Sequence, residues 1–224
     1  MTLPEYDRIS QSADLPGSLP SANLRGVEED AATGEVAELY EYFRNHFGRP
    51  VVPGILKSFA THPPLLRHMM ALSESLIFSD GHLKRHHKEM IATFVSSQNA
   101  CPYCADSHGY FLRVHGGSAE ALCAIQKGEI DSSALTEPEK ALLNFAQKVN
   151  QSSHEISRAD IETLTRAGWS EPQVSEAVHV AALFAAFNRV ANAFGLASQG
   201  LLGLVENETS TNKASAVESH RSAH

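Results

Sequence analysis

The segment EPQVSEAVHVAALFAAFNRVANAF, residues 171–194, constrains the fold more than any other part of the chain. Ser170 and Gln173 are spaced as a capping box, and Gly195 supplies the stop. Apolar residues occupy most of the helix circumference between them, and the many alanines allow close approach of neighbours. Such a helix needs other elements around it, in the domain core, in a subunit interface, or in both. Its polar residues His179, Asn188, Arg189 and Asn192 then need partners. They are read as structural groups of the core or interface rather than as supports of a reactive site.

The chain before it reads as helix after helix. Residues 33–47 place Val36, Leu39, Tyr40 and Phe43 at helical spacing and stop at Gly48. A short helical piece lies between prolines in residues 50–64. Residues 64–78 set Leu65, Leu66, Met69, Leu72 and Leu76 on one side. Helices are also expected over 83–98, 100–115 and 118–127, the last capped by Ser118. Thr136 and Glu139 make a second capping box, and Ser157 caps residues 158–167. No segment alternates with period two, and no Asn-Gly or Asp-Gly hairpin signal is present. The expected fold class is all-α.

Residues 1–27, rich in Pro, Ser, Asp and Gly, read as a loose N-terminal arm or extended strap. Residues 205–224 have the composition of a disordered tail. That leaves residues 28–204 as one helical domain, a size that can bury a substantial core. With 18 Lys+Arg against 26 Asp+Glu the net charge is -8. No Lys/Arg run offsets this, so nucleic acid is not an expected partner. The N-terminus lacks the pattern of a signal peptide, and no apolar run was expected to reach the ~20 residues of a membrane span. Three cysteines, an odd number, do not make a secreted disulfide framework, so a cytoplasmic protein is expected.

The chemistry concentrates in NACPYCADSHGYFLRVHGG, residues 99–117. Cys101, Cys104 and His108 stand at i, i+3 and i+7 and share one helix face. Pro102 suits a first turn, so the cysteines sit near a helix N-terminus, where free amides and the helix dipole favour a thiolate. A turn near Gln98-Asn99 would fold the preceding helix back antiparallel. Glu89 and His108 then lie at equal heights, each roughly 13 Å from the turn at ~1.5 Å per residue. Glu89, His108 and Cys104, with Cys101 beside them, would form a proton relay ending in a dithiol.

Two other readings of the pair stand beside this one. Zinc would need more ligands than Cys101, Cys104 and His108, with Cys123 or His115 as candidates, but the usual two-pair spacing is absent. Glutaredoxins also carry C-P-Y-C, there after a β-strand, whereas IATFVSSQNA here is an amphipathic helix. Cys123 itself is read as a small buried hydrophobe. His82, His86 and His87 are read as part of a charged helix face rather than as a metal cluster. Trp169 is read as a packing residue at a helix start.

The spacing Glu89-x11-Cys101-x2-Cys104-x3-His108 resembles the core signature of the alkylhydroperoxidase AhpD-like branch of the carboxymuconolactone decarboxylase superfamily. The similarity extends over most of residues 50–197, including VPGILKSFATHPPLL, AGWSE and AAFNRVANAFG, and is nearest to the peroxidase-related subgroup. It implies an AhpD-like helical subunit in a homo-oligomer, trimer or hexamer. It also implies reduction of a hydroperoxide substrate by thiols, with no haem or metal cofactor. By that resemblance Cys104 attacks, Cys101 resolves, and Glu89 and His108 move the proton. A dithiol reductant, a lipoyl group or a thioredoxin-like protein, would reset the pair. The family pattern can carry a histidine just before the second cysteine, where this chain has Tyr103. The decarboxylase branch lacks the paired cysteines, so decarboxylation is not expected.

Overall fold

The structure, a computed structural model, describes residues 23–204; the arm up to residue 22 and the tail from 205 lie outside the described residues. Among the described residues there is no strand. Nine α-helices lie wholly among these residues: α1 Gly34–Phe47, α2 Gly54–Phe59, α3 Pro63–Leu76, α4 Arg85–Gln98, α5 Pro102–Val114, α6 Ala119–Lys127, α7 Glu137–Ser152, α8 Arg158–Arg166 and α9 Glu171–Phe194, and residues 201–204 are helical as well. One turn of 3-10 helix, Ser153–Glu155, joins α7 to α8. The capping boxes Thr136/Glu139 and Ser170/Gln173 form as expected, and Ser157/Asp160 makes a third.

Helix α4 is the hub, packed against α5, α6, α7 and α9. It is buried almost throughout, including Ile91, Phe94 and Val95. They join Leu142 and Leu143 of α7 and Val180, Ala181 and Phe184 of α9 in the main core. A second core combines Tyr40 and Phe43 of α1, Leu56 and Phe59 of α2, and Leu66 and Met70 of α3. On α3 the buried residues are Leu66 and Met70, while Leu65 and Leu72 are exposed. The expected apolar face is therefore shifted: α3 is covered on one flank, by α1 and α2, and that neighbour decides which part of a broad apolar arc is buried.

Helix α9 is apolar and long enough to cross a bilayer by length and composition alone, contrary to the expectation of no such run. Here Val174, Ala177, Val180, Ala181, Phe184 and Ala191 face the protein interior. On its other face, among the described residues, His179 and Arg189 are exposed and bond back to their own helix carbonyls.

Residues 23–27 lie as a strap over α2 and the end of α9. The amide of Val27 donates to Lys57 O at 3.0 Å, and that of Leu24 donates to Phe194 O at 3.5 Å. Tyr40 Oη donates to Val27 O at 2.7 Å. At Gly26 a Cβ would stand 2.4 Å from Lys57 O, so only glycine lets the strap lie this close.

The α4–α5 connection sets up the site. Ala100 has φ 48, the only non-glycine residue with positive φ among the described residues. The Ala100 amide donates to Ser97 O at 3.1 Å and the Cys101 amide to Ser96 O at 2.9 Å. This is the double bond pattern of a Schellman C-cap, with alanine at the position usually held by glycine. Cys101, the last residue of that motif, is at once the N-cap of α5. Two helices thus meet with three residues between them, which aligns them antiparallel.

Candidate active site

Cys101 and Cys104 are free thiols, both buried, with their sulfurs 2.7 Å apart. Cys101 caps α5: its sulfur accepts the Cys104 amide at 3.4 Å. Asn99 is not the N-cap, so the two thiols are not equivalent with respect to the helix. The Cys101 thiol is drawn below its usual value because the Cys104 thiol donates to it, aided by the Cys104 amide and Asn188, and against the effect of burial. The Cys104 thiol is pushed up, because losing its proton breaks that same bond, because it is buried, and because it faces the Cys101 charge. Of the two thiols Cys101 therefore gives up its proton first, and Cys104 keeps its own.

Glu89 is fully buried in the middle of α4. Its Oε2 lies 2.6 Å from His108 Nδ1, and its Oε1 accepts from Arg85 Nε at 2.5 Å. The antiparallel pairing of Glu89 and His108 expected from residue counting is present. Burial pushes the Glu89 carboxyl up, but Arg85 and His108, by charge and hydrogen bond, outweigh it and hold it below the ordinary value. The His108 ring stands edge-on to Phe184, 4.4 Å between centroids, and tilted against Phe111. With Nδ1 committed to Glu89, Nε2 is the nitrogen free to exchange a proton with a ligand. His108 follows Cys104 by four positions on α5, one helical turn.

Arg85 was not singled out from sequence. It is buried at the start of α4, with its guanidinium 4.8 Å from the centroid of Phe78 and 5.4 Å from that of Phe111. The signal available was its i,i+4 spacing from Glu89. Its charge makes a buried carboxylate sustainable at Glu89.

Asn188 is a second group whose role the sequence reading placed elsewhere. Fully buried on α9, it donates to Ser96 Oγ at 2.9 Å and accepts from Asn99 Nδ2 at 3.0 Å. Its amide also favours the thiolate form at both cysteines. It supports the dithiol directly, because α9 crosses the N-terminus of α5 at that point. Asn192, one turn on, donates to Asn99 O at 3.1 Å. Both hold the turn that carries Cys101. Cys123, by contrast, is exposed. Helix α6 buries Leu122, Ala124 and Ile125, leaving position 123 outward, so the expectation of a buried thiol there is corrected.

Tyr103, between the cysteines, is buried, and its hydroxyl accepts the Ile55 amide at 3.2 Å and Gln199 Nε2 at 2.9 Å. Burial holds its phenol protonated, well above the usual tyrosine range. Ile55 packs against the dithiol and the second core alike. Beside it lies an apolar cavity of about 80 Å³, walled by Phe43, Phe47, Ile55, Phe78, Phe184 and His108. His108 thus shares a helix with Cys104, one turn along, and its ring walls the aromatic cavity.

An all-helical domain with a buried dithiol at a helix N-terminus and a carboxylate–imidazole pair one turn along is the class that fold and site define. Residues 63–127 match the carboxymuconolactone decarboxylase family. The chain is 26% identical to a solved peroxidase-related protein with an alkylhydroperoxidase AhpD core from Ralstonia eutropha JMP134, itself uncharacterized; the match covers 84% of this chain and 98% of that one, with TM-score 0.73. An uncharacterized peroxidase-related protein from Silicibacter sp. TM1040 is 28% identical over 82% of this chain and 89% of that one, TM-score 0.66. The debrominase Bmp8, solved with 2,3,4-tribromopyrrole, shares the fold at TM-score 0.67 and 18% identity, over 84% of this chain and 98% of that one. No curated protein matches the chain. The chain is similar to the carboxymuconolactone decarboxylase family over residues 63–127 and, in fold, to AhpD-like peroxidase-related proteins.

Proposed function

We propose that the protein is a thiol peroxidase that reduces organic hydroperoxides with the Cys101/Cys104 dithiol. The observation that carries this reading is the pair of free sulfurs 2.7 Å apart at the N-terminus of α5, one turn from the His108–Glu89 pair. A disulfide needs a sulfur separation of about 2.05 Å, so oxidation requires under about 1 Å of further approach.

The resting charge lies on Cys101, and a proton shift from Cys104 to Cys101 along their hydrogen bond moves it to Cys104. The Cys104 thiolate attacks the terminal oxygen of the peroxide. The S–O bond forms, the O–O bond breaks, and the leaving alkoxide takes, through His108 oriented by Glu89, the proton that the dithiol gave up when its thiolate formed. The Cys101 thiol then displaces water from the Cys104 sulfenic acid. Two thiols and one hydroperoxide become a disulfide, an alcohol and water. A dithiol reductant of the lipoyl or thioredoxin-like kind restores the pair by exchange.

The aromatic cavity beside His108 suits an apolar substituent on the peroxide. Assembly into a homo-oligomer belongs to the same reading, with the face of α9 that carries His179 and Arg189 as the surface available for it. The test is to add one equivalent of cumene hydroperoxide to reduced protein, then locate the oxidised sulfurs by peptide mass mapping. A Cys101–Cys104 disulfide is expected, with sulfenic acid trapped on Cys104 in Cys101→Ser. Sulfenic acid on Cys101 in Cys104→Ser alone would reverse the roles, and unreacted thiols would remove the reading. Turnover with excess peroxide and dihydrolipoamide separates a catalyst from a protein that is oxidised once and stays so.

A further inference from the structure

One turn before Glu89, at the start of α4, whereas the dithiol lies beyond its end, three side chains converge that the peroxide chemistry leaves unused. His86 and His87 of α4 and Glu139 of α7 bring one ligand atom each to within 4.8 Å of one another. His86 Nε2 lies 3.4 Å from Glu139 Oε1. The geometry points to a binding site for a divalent first-row transition metal of the zinc class, held by these three residues.

The spacing fits the ion. At Zn–N and Zn–O distances of about 2.0–2.2 Å, ligand atoms in a tetrahedron stand roughly 3.3–3.5 Å apart. The His86–Glu139 separation already has this value, and the remaining approach is about 1.5 Å or less, within reach of side-chain rotation. Two imidazoles and one carboxylate are a borderline donor set, suited to Zn, Co, Ni or Cu rather than Mg or Ca.

The surroundings orient the donors as metal sites do. Glu139 Oε2 is engaged by the capping box, accepting from the Thr136 amide and from Thr136 Oγ1, each at 2.8 Å. That leaves Oε1 for an ion. The His87 ring is held edge-on by Trp169, 4.9 Å between centroids at 87°. Trp169 is itself fixed by donation from Nε1 to Pro138 O at 2.9 Å. Beside His86 and Glu139 opens a cavity of about 270 Å³, lined also by Met90, Leu112, Ser118 and Leu135. Three protein ligands with a cavity at the fourth position leave room for water or a small anionic ligand, and the ion would tie α4 to the start of α7.

Reduced full-length protein, stripped with chelator, is titrated with Zn2+ against a chromophoric competitor, and with Co2+ by visible absorption. The same titrations are run on the Cys101→Ser/Cys104→Ser double variant, because thiols also bind zinc. One Zn2+ per chain is expected in both proteins, with Co2+ d–d bands and no thiolate-to-metal charge transfer in the double variant. His86→Ala and Glu139→Gln should each weaken binding by about tenfold or more. Gln at that capping position keeps the helix start, as Gln173 does in the Ser170 box of this same chain. No stoichiometric binding in the double variant, or binding there that neither substitution weakens, overturns the site.

Discussion

The hydroxyl of Tyr103, the residue between the two cysteines, accepts the amide proton of Ile55 at 3.2 Å. Ile55 is in the first turn of α2, whose N-cap Pro53 offers no side-chain acceptor. A residue of the dithiol motif thus satisfies an orphan amide of another helix, and ties the wall of the aromatic cavity to the cysteines. Tyr103→Phe leaves that amide and Gln199 without this acceptor. The expected loss is about 1–3 kcal/mol of unfolding free energy, read by urea denaturation. Cysteine oxidation by peroxide should still occur, since no sulfur contact is removed. Unchanged stability would show that the hydroxyl does not cap α2.

Glu89→Gln removes the buried carboxylate that pairs with Arg85 and His108. Breaking a fully buried pair costs about 3–5 kcal/mol. Loss of the His108 partner should also lower peroxide turnover by roughly 10²–10⁴-fold. Retained turnover in a folded variant would remove Glu89 from the relay.

Acid should expose the same carboxylate. The Glu89 carboxyl is held below the ordinary 4.5 in the folded protein. The unfolded chain therefore binds the extra proton first, and the stabilisation is full above about pH 4.5 and lost as pH falls through the folded value. A plot of unfolding free energy against pH should drop less steeply below 4.5 for Glu89→Gln than for the native chain. Parallel profiles would contradict the assignment.

The dithiol should show one thiolate in titration, not two. Absorbance of the reduced protein should rise by one thiolate equivalent below the ordinary thiol value of 9.0, the rise belonging to Cys101 and absent in Cys101→Ser. In the resting protein Cys104 should lose its proton only at higher pH than Cys101. Asn188 favours the Cys101 thiolate, so Asn188→Ala should move the Cys101 transition to higher pH.

Ala100 carries a left-handed backbone at a cost of about 1–2 kcal/mol. Ala100→Gly relieves that strain but adds about 0.5–1 kcal/mol of backbone entropy. The net should be a stabilisation of roughly 0.5–1 kcal/mol, visible as a higher urea midpoint. A lower midpoint would mean that the turn is not strained.

The helices themselves were legible because capping and periodicity are local. Thr136 and Glu139, or Ser170 and Gln173, lie three residues apart and meet wherever the helix forms. The Glu89–His108 pairing was also within reach, since a short turn makes the geometry of two consecutive helices a matter of counting. Cys123 was misread because an Ala-rich amphipathic helix does not declare which of its flanks a neighbour will cover. Leu65 and Leu72 failed the expectation for the same reason.

What sequence determined by itself is the all-α class, the order of most helices, and the set Glu89, Cys101, Cys104 and His108 with the possibility of their meeting. Only tertiary structure decided that Cys101, as N-cap, takes the charge, and that Asn188 arrives from 84 positions beyond Cys104 to support it. It likewise brought Glu139 to His86 and His87, and Tyr103 to Ile55. The division follows range. Local hydrogen bonds depend on residues a few positions apart, whereas these contacts exist only after burial of apolar faces has chosen which helices cross, and where.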